Sequence, residues 1–382
     1  MPEIWYDRHY ESLKDSFFRS GKVIVLTGPR RVGKTELVRK MLSGFEGRLF
    51  QGTGDDMELR EVIYSQKLQL ILTNLGSYDM IFIDEAQRIP DIGLGLKMLV
   101  DHVPGIKIVV TGSSSFSLLH KTGEPLTGRQ FTRKLFPISV QELYSQFGGM
   151  KVSQLLDELM LYGSYPEIIK ESSRQGKIDY LVSIRDSYLL KDIFELENIK
   201  HSQKLNDLLK LIAFQIGHEV SLNELSNSLG ISKQSVERYL TLLEQAYVIK
   251  KVGGFSRNLR TEITKTARYY FLDNGVRNAV INNFNELSNR NDIGMLWENF
   301  LFAERLKYLE YNQVYTNLYF WRTYDRKEID LIEERDGTLY AFEFKYRASK
   351  AKCPIAWSSA YPDSTYCEVN RDNYLDFLII GK

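Results

Sequence analysis

The stretch Gly28-Pro29-Arg30-Arg31-Val32-Gly33-Lys34-Thr35 follows the apolar run Val23-Ile24-Val25-Leu26-Thr27 and precedes an amphipathic segment containing Leu37, Val38 and Met41. A G-x-x-x-x-G-K-T loop between a strand and a helix constrains the fold more than any other feature of the chain. It predicts an α/β domain with a parallel sheet and the loop at the carboxyl edge of its strand. The backbone N–H groups of the loop and the helix N-terminus cradle phosphate, Lys34 faces the outer phosphate oxygens, and Thr35 ligates Mg²⁺. The alternative, an ordinary glycine-rich turn, is disfavoured by the strand on one side and the helix on the other.

More short β-branched runs follow, notably Met80-Ile81-Phe82-Ile83 and Ile106-Lys107-Ile108-Val109-Val110, separated by helical spacing. The first of these ends in Asp84-Glu85. Behind a phosphate loop, Asp84 is placed to hold the Mg²⁺ shell and Glu85 to deprotonate an attacking water, which favours hydrolysis of ATP over its storage. A solvated strand end is the alternative. The next run ends in Thr111-Gly112-Ser113-Ser114, where Ser113 either senses phosphate or caps a helix. Arg129, in Leu126-Thr127-Gly128-Arg129, is a candidate transition-state cation, weighed against a plain surface arginine.

Length and charge set the frame. A chain of 382 residues with 43% hydrophobic and 26% charged residues divides into two or three globular domains. Fifty Lys and Arg against 49 Asp and Glu leave a net charge of +1, so DNA or an anionic membrane would have to be met by a local patch. Two cysteines, Cys353 and Cys367, are too few for a disulfide framework and lack zinc spacing. No leader-like opening and no membrane-length apolar run is present, and the expectation is a soluble cytoplasmic protein.

In order along the chain, GPRRVGKTEL, IFIDEAQR, VVTGSSS, LTGR, LFPISVQEL and YGSYPEII resemble the bacterial and archaeal AAA+-type ATPases that carry a winged helix and a C-terminal domain of unknown function. The resemblance covers nearly the whole chain. It implies a five-stranded parallel P-loop NTPase core, ATP with Mg²⁺, and assembly into a homo-oligomer in which Arg129 reaches a neighbour's phosphate. No second-sensor arginine of the lid matches a motif.

The expected organisation is a P-loop ATPase core over 1–150, a helical lid over 151–217, a winged helix over 218–285 and an α/β restriction-endonuclease-like domain over 286–382. In the third segment Gly230 reads as the turn of a helix-turn-helix and Ser232 as the cap of its second helix. Lys233, Gln234, Ser235 and Arg238 are candidate base contacts, and Arg257, Arg260, Lys265 and Arg268 candidate phosphate contacts. A rigid spacer is the competing role. A turn is expected at Gly253-Gly254.

In the last segment the period of two along Tyr340–Lys345 puts Glu343 and Lys345 on one face of a strand. With Asp330 and with Glu298 from a helix they resemble the Asp…Glu-x-Lys signature of PD-(D/E)XK nucleases, which implies a second metal site. The alternative is a plain Glu–Lys pair. Three functions follow: an ATPase that drives rearrangement of the attached units, an ATP-gated metal-dependent nuclease or DNA-binding protein, and a signalling switch that acts through protein contacts.

Overall fold

The computed structural model describes residues 5–112, 126–189, 202–256, 267–323, 326–349 and 351–380. Ser113 and Ser114, together with Arg257, Arg260 and Lys265, lie outside the described residues.

The amino-terminal third forms a five-stranded parallel sheet from β1 (Lys22–Thr27), β2 (Leu49–Thr53), β3 (Met80–Asp84), β4 (Lys107–Gly112) and β5 (Gln130–Lys134), in the order β2-β3-β4-β1-β5. Its central strands are β-branched on both faces because helices cover both. On one face lie α2 (Met57–Tyr64), α3 (Leu68–Leu75) and α4 (Ile92–His102), over a core containing Val23, Val25, Ile81, Ile83 and Val110. On the other lies α1 (Lys34–Leu42), over a core shared with the rest of the chain. Both Asp84 and the phosphate loop therefore emerge at the carboxyl edge.

A helical layer follows, made of α5 (Val140–Tyr162), α6 (Pro166–Lys170) and α7 (Arg174–Ser183). Ser139 and Glu142 close a capping box at the start of α5, and the helix kinks at Gly148, whose φ is 78°. Next come α8 (Ser202–Phe214), the short β6 (Glu219–Val220), α9 (Leu222–Leu229), α10 (Lys233–Gln245), β7 (Ile249–Gly254) and β8 (Ala267–Phe271). Gly230 ends α9 at φ 62°, and Ser232 accepts the Ser235 N–H to cap α10.

After α11 (Asn274–Val280) the chain forms α12 (Ile293–Tyr311), β9 (Asn317–Arg322), β10 (Glu328–Arg335), β11 (Thr338–Phe344), α13 (Ile355–Ala360) and β12 (Thr365–Val369). The β10–β11 hairpin turns at Asp336 and Gly337, both at positive φ, as a two-residue turn between right-twisted strands requires.

These strands do not form a sheet of their own. β7 pairs with β9 in parallel, Gly253 opposite Tyr319 and Gly254 opposite Phe320, producing one seven-stranded sheet in the order β12-β11-β10-β9-β7-β8-β6. This corrects the expected turn at Gly253-Gly254: both glycines sit in β7, where the pairing uses only backbone groups that any extended residue supplies. The boundary expected at 285/286 is crossed by strand pairing. A single apolar cluster also runs from Leu26 and Val38 through Leu161 and Tyr247 to Phe342.

Candidate functional site

The phosphate loop is shaped by three positive-φ residues, Gly28 (147°), Arg31 (63°) and Gly33 (90°). Gly28 packs so tightly on the exit of β5 that a methyl group there would sit 2.0 Å from the Leu135 carbonyl oxygen, so only glycine fits. Lys34 opens α1, is 6% exposed, and its Nζ donates to the carbonyls of Gly28 (2.9 Å) and Pro29 (2.7 Å). The ammonium is thus aimed into the mouth of the loop.

Beside it, the Thr35 hydroxyl lies 3.0 and 2.9 Å from the two oxygens of Asp84. Thr111, at the end of β4, donates its hydroxyl to Asp84 and accepts the Glu85 N–H at 3.3 Å. A hydroxyl and a carboxylate side by side are hard oxygen donors of the kind Mg²⁺ takes. Glu85 leaves β3 at φ 49°, and its carboxylate accepts from the side-chain amide of Gln87. Arg88 pairs with Asp55 in the loop after β2. Sequence reasoning named Lys34, Thr35, Asp84 and Glu85; it missed Thr111 and Gln87, both within the runs it quoted.

Arg129 does not join this group. It precedes β5, where its carbonyl accepts the Val23 N–H, at the amino edge of the sheet, and its Nε is 2.6 Å from Asp101. The phosphate loop leaves β1 at the opposite edge, next to Lys134, so Arg129 cannot reach the phosphate site of its own chain.

A cleft of about 370 Å³ opens beside Gly33 and is lined by Trp5, Tyr6, Arg8, Arg31, Lys170 and Tyr180 among others. The Arg31 guanidinium lies over the Tyr180 ring, 5.2 Å from its centroid. Arg8 is buried and donates to Glu142 (3.0 Å), to the loop carbonyl of Val32 (2.6 Å) and to that of Phe136 (2.6 Å). Glu142 is held below the usual carboxylate range, since burial, which alone would raise it, is outweighed by Arg8 and by backbone N–H groups. No motif announces Arg8 or the aromatic side chains of this cleft.

Residues 20–144 match a family described as an AAA domain. Over that stretch the chain is similar to AAA-type P-loop domains. Residues 153–287 and 293–361 match two families described as domains of unknown function. An uncharacterised protein of Mycobacterium tuberculosis is 28% identical over 344 residues, 89% of this chain and 74% of that protein. An uncharacterised protein of Haemophilus influenzae is 25% identical over 402 aligned positions, 94% of this chain and 88% of that protein. Among solved structures, a Pyrococcus horikoshii signal transduction ATPase with a tetratricopeptide repeat sensor aligns at a TM-score of 0.31 and 13% identity, covering 81% of this chain and 47% of that one. A RuvB mutant of Thermotoga maritima aligns at 0.30 and 20%, covering 60% and 81%. Among the described residues, no helix is long and apolar enough to cross a membrane.

A second cluster lies on the seven-stranded sheet. The register places Leu331 opposite Phe342, so the neighbouring Asp330 and Glu343 face each other across β10 and β11. Lys345 pairs with Glu343 at 2.6 Å, and Asp330 accepts the Phe344 N–H at 2.8 Å. Glu298 joins from α12, taking a hydrogen bond from Tyr270 at 2.7 Å. Among them sits Arg268, 2% exposed, with ion pairs to Glu328 (2.8 Å), Glu298 (3.5 Å) and Asp330 (3.5 Å). This corrects the reading of Arg268 as a DNA-phosphate contact: it is a buried counter-ion. The charge count of its segment carried no information about burial.

Burial and the neighbouring Asp330 charge push Glu343 up to about 7, against the pull of Lys345. Burial likewise raises Glu298 well above the carboxylate range, reinforced by Asp330 and opposed by Arg268. Four carboxylates crowd around two cations, and Glu343 Oε2 is buried without a hydrogen-bond partner. The carboxylate oxygens are donors of the kind a divalent cation takes, and Arg268 already pairs with three of the four carboxylates. Among the described residues, no group of three or more acidic, His or Cys side chains converges closely enough to hold a metal by itself.

Proposed function

We propose that the chain binds ATP with Mg²⁺ at residues 28–35 and hydrolyses it. The convergence of Lys34, Thr35, Asp84 and Glu85 at one edge of a parallel sheet carries this reading, supported by the family match over 20–144. Thr35 and Asp84 would hold the Mg²⁺, which supplies charge neutralisation between the phosphates. Lys34 balances charge on the β/γ oxygens, and Glu85 takes the proton of the attacking water. The cleft beside Gly33 suits a nucleoside, with aromatic faces for the base. ATP turnover in wild type against Glu85→Gln, with nucleotide binding measured separately, tests the reading; equal turnover would overturn the role of Glu85.

In this reading, residues 151–217 act as the lid, 218–285 as a winged helix and the remainder as an attached α/β unit. The helix-turn-helix geometry of α9 and α10, followed by the β7–β8 pair, supports the winged-helix assignment. Lys233, Gln234 and Arg238 lie on an exposed face of α10, which is where DNA would be met. Arg129, at the outer edge of the sheet, fits a role toward a second copy of the chain.

One observation favours a second reading, a metal-dependent nuclease in the last segment. Glu343, whose Oε2 is unpartnered, stands opposite Asp330 in the strand register and pairs with Lys345, as the Asp…Glu-x-Lys resemblance implies. Manganese titration of wild type and Asp330→Ala, followed by a cleavage assay on DNA, decides it.

A further inference from the structure

Tyr247 is 220 residues from Thr27 in the chain, yet its phenol donates to the Thr27 hydroxyl at 2.7 Å, and both side chains are buried. Thr27 is the last residue of β1, immediately before the phosphate loop. Its hydroxyl is also 3.4 Å from the Arg133 carbonyl, and its own carbonyl accepts the Leu135 N–H at 2.8 Å. On the β5 side, then, the start of the loop is wedged against backbone, and Gly28 has no room there. Tyr247 and the adjoining Ala246 and Val248, together with Asp273, line a narrow pocket with Pro29 and Arg31.

Tyr247 itself is unusual. It ends α10 at φ 58°, with the Val248 N–H reaching back to the Leu243 carbonyl at 3.0 Å. Helices that end this way normally place glycine or asparagine at that position, and a bulky residue there is strained. From this turn the phenol reaches Thr27. From Tyr247, α10 runs as one rigid 13-residue helix back to Lys233, Gln234 and Arg238 on its exposed face.

The other end of the loop is gripped in a related way. Tyr311, the last residue of α12, lies 3.4 Å from Arg8, the same arginine that donates to Val32 O. Tyr311 also accepts the Phe136 N–H at 3.1 Å. Two tyrosines from the carboxy-terminal half thus bracket the loop.

We propose that Tyr247 is a positioning residue that couples the phosphate loop to α10. Gly28 is packed on the Leu135 backbone, and Thr27, the residue before it, is bonded to Tyr247, so loop movement is transmitted to the end of α10, and a load on α10 is felt at the loop. Such coupling is reciprocal: whatever holds the outer face of α10 alters nucleotide affinity by the factor by which nucleotide alters that contact. The proposal rests on the nucleotide-site reading for its function, and on the Tyr247–Thr27 contact for its geometry.

Backbone amide exchange over 28–33 and 246–252, measured on the full chain, tests it. Without nucleotide, Tyr247→Phe should speed exchange over 28–33 by about threefold to tenfold, the range expected for one lost hydrogen bond. Thr27→Val should do the same, and the double variant no more than either single one. Unchanged exchange in Tyr247→Phe, or effects that add, would overturn the proposal. With ATP and Mg²⁺, wild type should change exchange over both segments, whereas Tyr247→Phe should respond only over 28–33. A response over 246–252 that survives in Tyr247→Phe also overturns it. If ATP alters neither segment of wild type, the nucleotide reading fails, and the comparison without nucleotide still decides the coupling. Thermal melting of both single variants separates this from general loosening, which would speed exchange throughout the two sheets.

Discussion

Thr35 and Asp84 are 49 residues apart in the chain and in direct hydrogen-bond contact, the hydroxyl 2.9 Å from one carboxylate oxygen. The pair brings the helix after the loop to the end of β3, and Lys34 stands next to it. Lys34→Ala should abolish ATP binding, because it removes the cation aimed at the β/γ phosphates from a site whose affinity is mainly electrostatic. Equilibrium binding of a fluorescent ATP analogue checks this; undiminished affinity would refute it.

Glu85→Gln should keep ATP affinity within about twofold and lower turnover by two or more orders of magnitude, since the amide preserves shape and cannot take a proton. Gln87 holds the Glu85 carboxylate, so Gln87→Ala should lower kcat more than it raises KM. Steady-state kinetics on the two variants distinguish base from positioning residue.

Arg129 stands at the sheet edge remote from its own phosphate loop. Arg129→Ala should therefore reduce turnover in proportion to self-association, with ATP affinity unchanged, and wild-type specific activity should rise with protein concentration. A specific activity constant across a hundredfold dilution series would rule out action on a neighbouring chain.

Arg268→Met should destabilise the fold by roughly 3–5 kcal/mol, because it strips the counter-charge from buried carboxylates. Urea unfolding measures it. DNA affinity should be unaffected at temperatures where the variant stays folded, in contrast to reversal of Lys233 and Arg238 on α10.

The carboxylate of Glu368 accepts the N–H groups of Ser349 (2.9 Å) and Ala351, along with the hydroxyl of Ser349 (2.9 Å) and the Asn370 amide (3.0 Å). Burial acts to raise it, but these donors prevail and hold it down at about 2. A carboxylate depressed in the folded state contributes stability above its unfolded pKa and loses it as pH falls toward the folded one. Stability should therefore drop between about pH 4.5 and 2, and Glu368→Gln should flatten that slope. Unfolding curves across this range provide the check.

How much was legible followed the range of each interaction. The phosphate loop, the Gly230 turn, the Ser232 cap and the Asp336-Gly337 hairpin are written in a few adjacent residues whose φ or side-chain chemistry admits little else. Asp330 and Glu343 were placed together because strand alternation and a short turn suffice to do so. Arg8 and Tyr247 were invisible, since Tyr247 reaches a partner 220 residues away, three of the four groups the Arg8 guanidinium bonds lie more than a hundred residues away, and neither lies in a motif. Arg268 was misread because charge counted along a segment says nothing of the three carboxylates that bury it. Gly253 and Gly254 resembled a turn because an extended backbone next to a later strand leaves no trace in composition.

The parallel pairing of β7 with β9 has a practical corollary for anyone cutting this chain. A fragment starting at residue 286 would carry β9 with Leu318, Tyr319, Phe320 and Trp321 along an edge stripped of its partner, where the Phe320 carbonyl now accepts the Phe255 N–H at 2.6 Å. Bare apolar edges template addition of further chains, so such a fragment should precipitate or form strand-swapped aggregates.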